Sequence, residues 1–136
     1  MKLSASLGVE ESVIFKGAIG QKDVSSYMVA SDVFLSFYDL SNVGNPLMEA
    51  MMCGKPIITL DVGDTKELIR NNENGVLLSM NELHKIPQAM EKLLKDSNFS
   101  TSIAKGALAT AHTEFWSWEE RINAEILIVE EILNKQ

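Results

Sequence analysis

Apolar residues in this chain gather into short, mostly apolar runs at 12–16, 32–37, 56–60 and 75–79. Runs of that length, bounded by polar residues and glycine, predict buried strands. The stretches between them repeat at helical spacing instead. Val24, Tyr27 and Met28 predict a helix over 23–30, Leu47, Ala50 and Met51 one over 46–53, and Leu68 with Ile69 a short one over 65–71. Continuous apolar strands separated by helices predict a parallel sheet covered on both faces. Before the first run, residues 2–7 predict the last turns of a helix ended by Gly8. After residue 79 the pattern is wholly helical. A helix from Pro87 to about 95 has Met90, Leu93 and Leu94 as its expected buried face, and another over 97–113 is expected to bend near Gly106. The last helix, about 117–134, carries a stripe at Trp118, Ile122, Ile126, Val129 and Leu133, spaced to pack on this domain. Leu127 lies on its opposite face with Ile128 to one side, so that helix is apolar more widely than one contact needs, and these two residues are expected to stay uncovered.

The stretch 41–54 organises the rest. It reads Ser-Asn-Val-Gly-Asn-Pro-Leu-Met-Glu-Ala-Met-Met-Cys-Gly. Asn45 is the expected N-cap, Pro46 fits the first helical position, and Gly54 followed by Lys55 and Pro56 stops the helix. The product is strand, loop, helix, with Gly44 at the mouth and Glu49 early in the helix. A helix start offers free N–H groups and a partial positive charge, which suits a diphosphate, and Gly44 lets a ligand approach the backbone. The plainer alternative is a capped core helix whose Glu49 faces solvent. Parallel sheets hold their ligands at the carboxyl ends of their strands, here the loops 17–22, 38–45 and 61–65. The organising stretch begins in the middle one, which favours binding.

Composition narrows the partners. The chain has 136 residues, enough for one domain with a core, and 46% hydrophobic and 23% charged residues are ordinary for a soluble protein. Nineteen acidic against twelve basic residues give a net charge of −7, which argues against nucleic acid or an anionic membrane surface. Cys53 is the single cysteine, so no intrachain disulfide forms, as fits a reducing compartment. No apolar run approaches the roughly 18 residues of a membrane span, and no signal pattern opens the sequence. The expectation is a soluble cytoplasmic protein, with peripheral contact to a membrane-borne substrate left open. His84 and His112 lack metal-ligand spacing. Cys53 reads as a small buried apolar residue, the cluster Met48, Met51 and Met52 as core packing, and Glu67 as an exposed first-turn acid.

Several segments, in order, resemble the C-terminal half of retaining glycosyltransferases of the GT-B fold. They are Val13-Ile-Phe-Lys-Gly17, Tyr27-Met-Val-Ala-Ser-Asp-Val-Phe-Leu35, Gly63-Asp-Thr-Lys-Glu-Leu-Ile69, Asn74-Gly-Val-Leu-Leu78 and Phe115-Trp-Ser-Trp118. The most specific is Gly44-Asn-Pro-Leu-Met-Glu-Ala-Met-Met-Cys-Gly-Lys-Pro-Ile57. The resemblance implies an α/β architecture, a three-layer Rossmann-like parallel sheet with helices on both faces, with residues 1–136 as a single domain that binds a nucleotide-sugar donor. The family pattern is two glutamates separated by seven residues, and the second matches Glu49, which the resemblance assigns to the ribose hydroxyls. A carboxylate can accept from both vicinal hydroxyls at once. The first, which contacts the sugar, falls on Ser41. Asp39 is acidic and close by but two residues out of register, so the role does not pass to it. The backbone at Val43, Gly44, Asn45 and Pro46 is implied to lie beside diphosphate and sugar, and Gly17 to border the nucleotide.

In an intact enzyme the resemblance implies transfer of a sugar from a nucleotide diphosphate donor to an acceptor hydroxyl, with retention of configuration. No residue here stands out as a catalytic acid or base. Neither cofactor nor metal is implied, since N–H dipoles and basic side chains can stabilise a leaving diphosphate. Proteins of this fold carry an N-terminal acceptor-binding domain, then a strand with a basic pair for the diphosphate. This sequence begins after both, which implies a piece of a longer enzyme, inactive by itself. The alternative class is a non-catalytic nucleotide-binding or protein-interaction domain of the same fold, favoured by Ser41 and by the lacking basic pair. The reading frame upstream of Met1 separates the two.

Overall fold

The computed structural model describes residues 2–39 and 43–135. Strands β1 (Phe34–Ser36), β2 (Ile57–Leu60) and β3 (Val76–Leu78) form a parallel sheet in that order, with Phe34 opposite Ile57 and Ile58 opposite Val76. Every residue of the central strand β2 is buried. Successive side chains on a strand point to opposite faces, and Ile57 and Ile58 accordingly enter two different apolar clusters. Ile57 joins Met28 of α2 (Gln21–Ala30), Leu47, Ala50 and Met51 of α3 (Asn45–Met52), and Ala107 and Ala111. Ile58 joins Leu60, Val76 and Leu78 with Leu93 of α5 (Ile86–Lys95) and Ile103 of α6 (Ser97–Glu114). Both faces of the sheet are therefore covered by helices, and α6 supplies residues to both clusters. The expected α/β layering is present.

Local signals fixed the helix ends well. Helix α1 (Lys2–Ser6) stops before Gly8, which sits at φ +65°. Past α3, Gly54 adopts φ +59°, and the N–H groups of Gly54 and Lys55 bond the carbonyls of Met51 and Ala50 at 2.9 and 3.1 Å. That crossed pair is the helix stop a glycine at this place makes possible. A four-residue helix α4 (Thr65–Leu68) follows β2.

Four expectations need correction. Residues 12–16 form no strand: Glu10–Ser12 is a 3₁₀ turn, and Val13, Ile14 and Phe15 are exposed. A strand exists only through its neighbour, and no described strand pairs with this run. Helix α6 runs unbroken past Gly106, whose missing Cβ serves close approach instead. A Cβ there would lie 2.1 Å from the carbonyl oxygen of Glu73. On α5, Leu93 is buried but Leu94 turns outward. Finally, α7 (Trp118–Leu133) buries none of its residues, so the stripe expected to pack on this domain stays exposed, with Trp118 at 77%. Helical periodicity says that a helix has an apolar side, not which partner covers it. Leu127 and Ile128 are uncovered, as expected, at 61% and 59% exposure.

Candidate functional site

Strand β1 ends at Ser36, and the chain re-enters the described structure at Val43 before starting α3. Ser41 lies outside the described residues. Val43 is half-buried and packs against the cluster containing Met51, so its side chain anchors the loop. Gly44 takes the N-cap position, with φ −81° and ψ 147°, and its carbonyl accepts from Leu47 and Met48 at 3.0 and 3.4 Å. The sequence placed the cap one residue later. Asn45 is instead the first helical residue, exposed and making no capping bond, and Pro46 the second. Proline is tolerated at either place because the first helical N–H groups have no partner within the helix. The N–H of Asn45 finds no acceptor among the described residues.

Spacing then divides α3 into two faces. Leu47, Ala50 and Met51 point into the core. Asn45, Met48, Glu49 and Met52 line a groove of about 410 Å³, closed on its other side by Gln21, Val24, Ser25 and Met28 of α2. Glu49 is exposed, and its carboxylate has no hydrogen bond or ion pair to any described residue. The methionine cluster is split, since only Met51 is fully buried while Met48 and Met52 form the groove wall beside half-buried Cys53. Gly17 adopts φ +64° in the turn that leads to α2, and a Cβ there would meet nothing within 4 Å, so glycine serves the backbone angle. Glu67 is exposed in the first turn of α4, and His84 and His112 are exposed as well.

Sequence reasoning thus assembled Asn45 and Glu49 on one surface but missed the α2 wall. The signal was present: 21, 24, 25 and 28 share a helical face, with Val24 and Met28 apolar and Gln21 and Ser25 polar. Chemically, the arrangement sets the Asn45 N–H and the Glu49 carboxylate, neither with a partner among the described residues, one turn apart above a largely apolar trough. Such a trough suits a ligand with an anionic end, a hydroxylated middle and a flat apolar ring.

A sequence model of the family described as glycosyl transferases group 1 matches residues 1–109. N-acetyl-alpha-D-glucosaminyl L-malate synthase of Bacillus anthracis is 28% identical over 117 residues, which is 86% of this chain and 30% of the synthase. Sucrose-phosphate synthase from Thermosynechococcus elongatus superposes with a TM-score of 0.88 at 21% identity, over 99% of this chain and 34% of that one. Anabaena HepE, solved in complex with UDP-glucose, superposes with a TM-score of 0.82 at 25% identity, over 98% of this chain and 35% of its own. The chain spans about a third of the length of the curated relatives it matches.

Proposed function

The chain belongs to the glycosyl transferases group 1 family, and we propose that the groove between α2 and α3 holds the nucleotide part of a nucleotide-sugar donor. Its three-stranded parallel sheet flanked by helices has the α/β architecture of its GT-B structural neighbours. One observation carries the proposal: a Glu49 carboxylate without a partner among the described residues stands one helical turn behind the Asn45 N–H, on the groove face of α3. In this reading the backbone at Val43, Gly44, Asn45 and Pro46 borders the diphosphate, Glu49 accepts from both ribose hydroxyls, and Gly17 turns the chain toward the nucleotide. HepE, which binds UDP-glucose, supports the choice of a uridine nucleotide as first probe.

The whole protein, on this proposal, transfers the donor's sugar to an acceptor hydroxyl with retention of configuration, as a step of carbohydrate biosynthesis in the cytoplasm. The rest of the polypeptide supplies the acceptor side and any peripheral contact with a membrane. The reading calls for neither metal nor cofactor beyond the donor itself. Ser41, where the family carries its sugar-contacting glutamate, favours a second reading, a domain that binds nucleotides without turning them over. Assaying donor hydrolysis and transfer by the full-length protein decides between them.

The donor-site reading is tested by NMR titration of this chain. UDP should perturb amides at 44–50 and near 17. Glu49→Gln should weaken binding about 10-fold, the loss of a charged hydrogen bond worth roughly 1.5–3 kcal/mol. A silent 44–50 segment at millimolar UDP, GDP and ADP would sink the proposal. A variant that binds normally but melts far lower would make Glu49 structural.

A further inference from the structure

The two walls of the groove are held very differently. Helix α3 buries Leu47, Ala50 and Met51 in the core. Helix α2 has ten residues and buries only Met28, with Val24 half-buried one turn before it. Nearer its start, Gln21 and Ser25 are exposed. Packing thus fixes α2 close to its C-terminal end and fades toward its start. A wall held at so few points stands firmly only if something besides packing ties it down.

Lys55 supplies that tie from the far side of the groove. Its backbone is fixed, because its N–H bonds the Ala50 carbonyl at 3.1 Å in the stop of α3, and the proline after it restricts it to extended conformations. Pro56 is buried, and its carbonyl accepts from the Phe34 N–H at 2.8 Å, where β1 begins to pair with β2. From this rigid origin the Lys55 ammonium donates to the carbonyls of Val29 and Ser31, at 2.7 and 3.0 Å. A helix leaves its last carbonyls without partners inside it and ends on a partial negative charge, so a cation there gains from both. Among the described residues, no other side-chain hydrogen bond joins α2 or Ser31 to a later part of the chain. Nor does Lys55 form an ion pair with any described residue, so its bonds are committed to the end of α2.

We propose that Lys55 is a positioning residue for the groove: by pinning the end of α2 beside the end of α3, it fixes how far apart the two walls stand before a nucleotide arrives. A wall already in place needs no ordering on binding, whereas a loose one must be drawn in at a cost in affinity. This role rests on the donor-site reading, and the test separates the two. The 136-residue chain is titrated with UDP as wild type, Lys55→Met and Lys55→Arg, followed at backbone amides, with a thermal scan of each. Methionine keeps an apolar stem and loses the ammonium, while arginine keeps a cation with several donors. Lys55→Met should shift amides at 21–31 in the free chain and weaken UDP about fivefold, a part of what a charged hydrogen bond is worth. Lys55→Arg should recover most of that affinity. Lys55 is only partly buried, so both variants should fold. If Lys55→Met melts lower yet binds UDP as tightly as wild type, Lys55 merely stabilises the fold and the positioning role is overturned. Equal losses of affinity in the two variants would overturn it as well, because the charge would then be irrelevant. Either result leaves the donor site standing. No shift at 44–50 in wild type would overturn both.

Discussion

Asn74 shows how much a single buried amide can hold. It is 1% exposed, accepts from the Arg70 N–H at 2.7 Å, and donates to the Leu68 carbonyl at 3.0 Å and the Thr110 hydroxyl at 2.9 Å. The turn from α4 to β3 is thereby tied to α6. Asn74→Ala would leave a carbonyl and an N–H without partners, each costing about 1–3 kcal/mol, so the variant should lose roughly 2–4 kcal/mol in urea unfolding. The groove is on the α2–α3 side, and UDP affinity of the folded variant should not change. Glu82 is the contrasting case, a partly exposed acid whose pKa is lowered from 4.5 to about 2, first by its hydrogen bond from Lys85 and then by those from Ser79. Its folded-state pKa lies below the unfolded one, so its contribution is fully present above pH 4.5 and disappears as pH falls toward 2. Glu82→Gln should accordingly flatten the decline of stability across that window, as read by chemical unfolding at a series of pH values, and unaltered slopes would assign the acid limb to other carboxylates.

At the scale of elements, α6 illustrates why two glycines in one chain differ. At Gly106 an added Cβ would fall 2.1 Å from the Glu73 oxygen, 3.0 Å from its carbonyl carbon and 3.2 Å from the Asn74 Cα, all backbone atoms that cannot step aside. Gly106→Ala should cost about 2 kcal/mol or more by overpacking. Gly17→Ala meets no atom and should cost only about 1 kcal/mol for its left-handed backbone. Equal losses in thermal unfolding would contradict this account. The same contrast explains what the sequence could show. Gly54 and the box formed by Ser117 and Glu120 mark helix ends through bonds to residues three to five positions away, so local pattern finds them. The apolar run at 12–16 depends on a distant neighbour, and pattern alone mistook it for a strand. Likewise the sequence reads Met48, Met51 and Met52 together as core, while the position of α2 leaves only Met51 in the core and turns Met48 and Met52 to the groove. A family register singles out Glu49 in the sequence, whereas the α2 wall of the groove carries no such mark.

For the whole molecule, α7 is the open question of packing. It is well capped, yet Trp118, Ile122, Ile126 and Leu127 are all at least half exposed, and Ile122, Ile126 and Val129 form an open apolar surface along this one helix. Apolar surface of this extent marks a place of contact. Among the described strands, β1 forms one edge of the sheet, and Leu35, Phe37 and Ile14 are exposed too. The relatives are about three times as long as this chain, and we propose that in a protein of their length the additional polypeptide covers α7. Leu127→Lys tests it in both contexts. In this chain the variant should melt as wild type does and become more soluble, because a charge replaces an exposed leucine. In the full-length protein the same change should bury a charge at an interface, lowering the melting temperature or transferase activity. Sedimentation of the wild-type chain guards against the rival occupant. If it forms a dimer that Leu127→Lys dissociates, a second copy covers the helix and the assignment to the rest of the polypeptide fails.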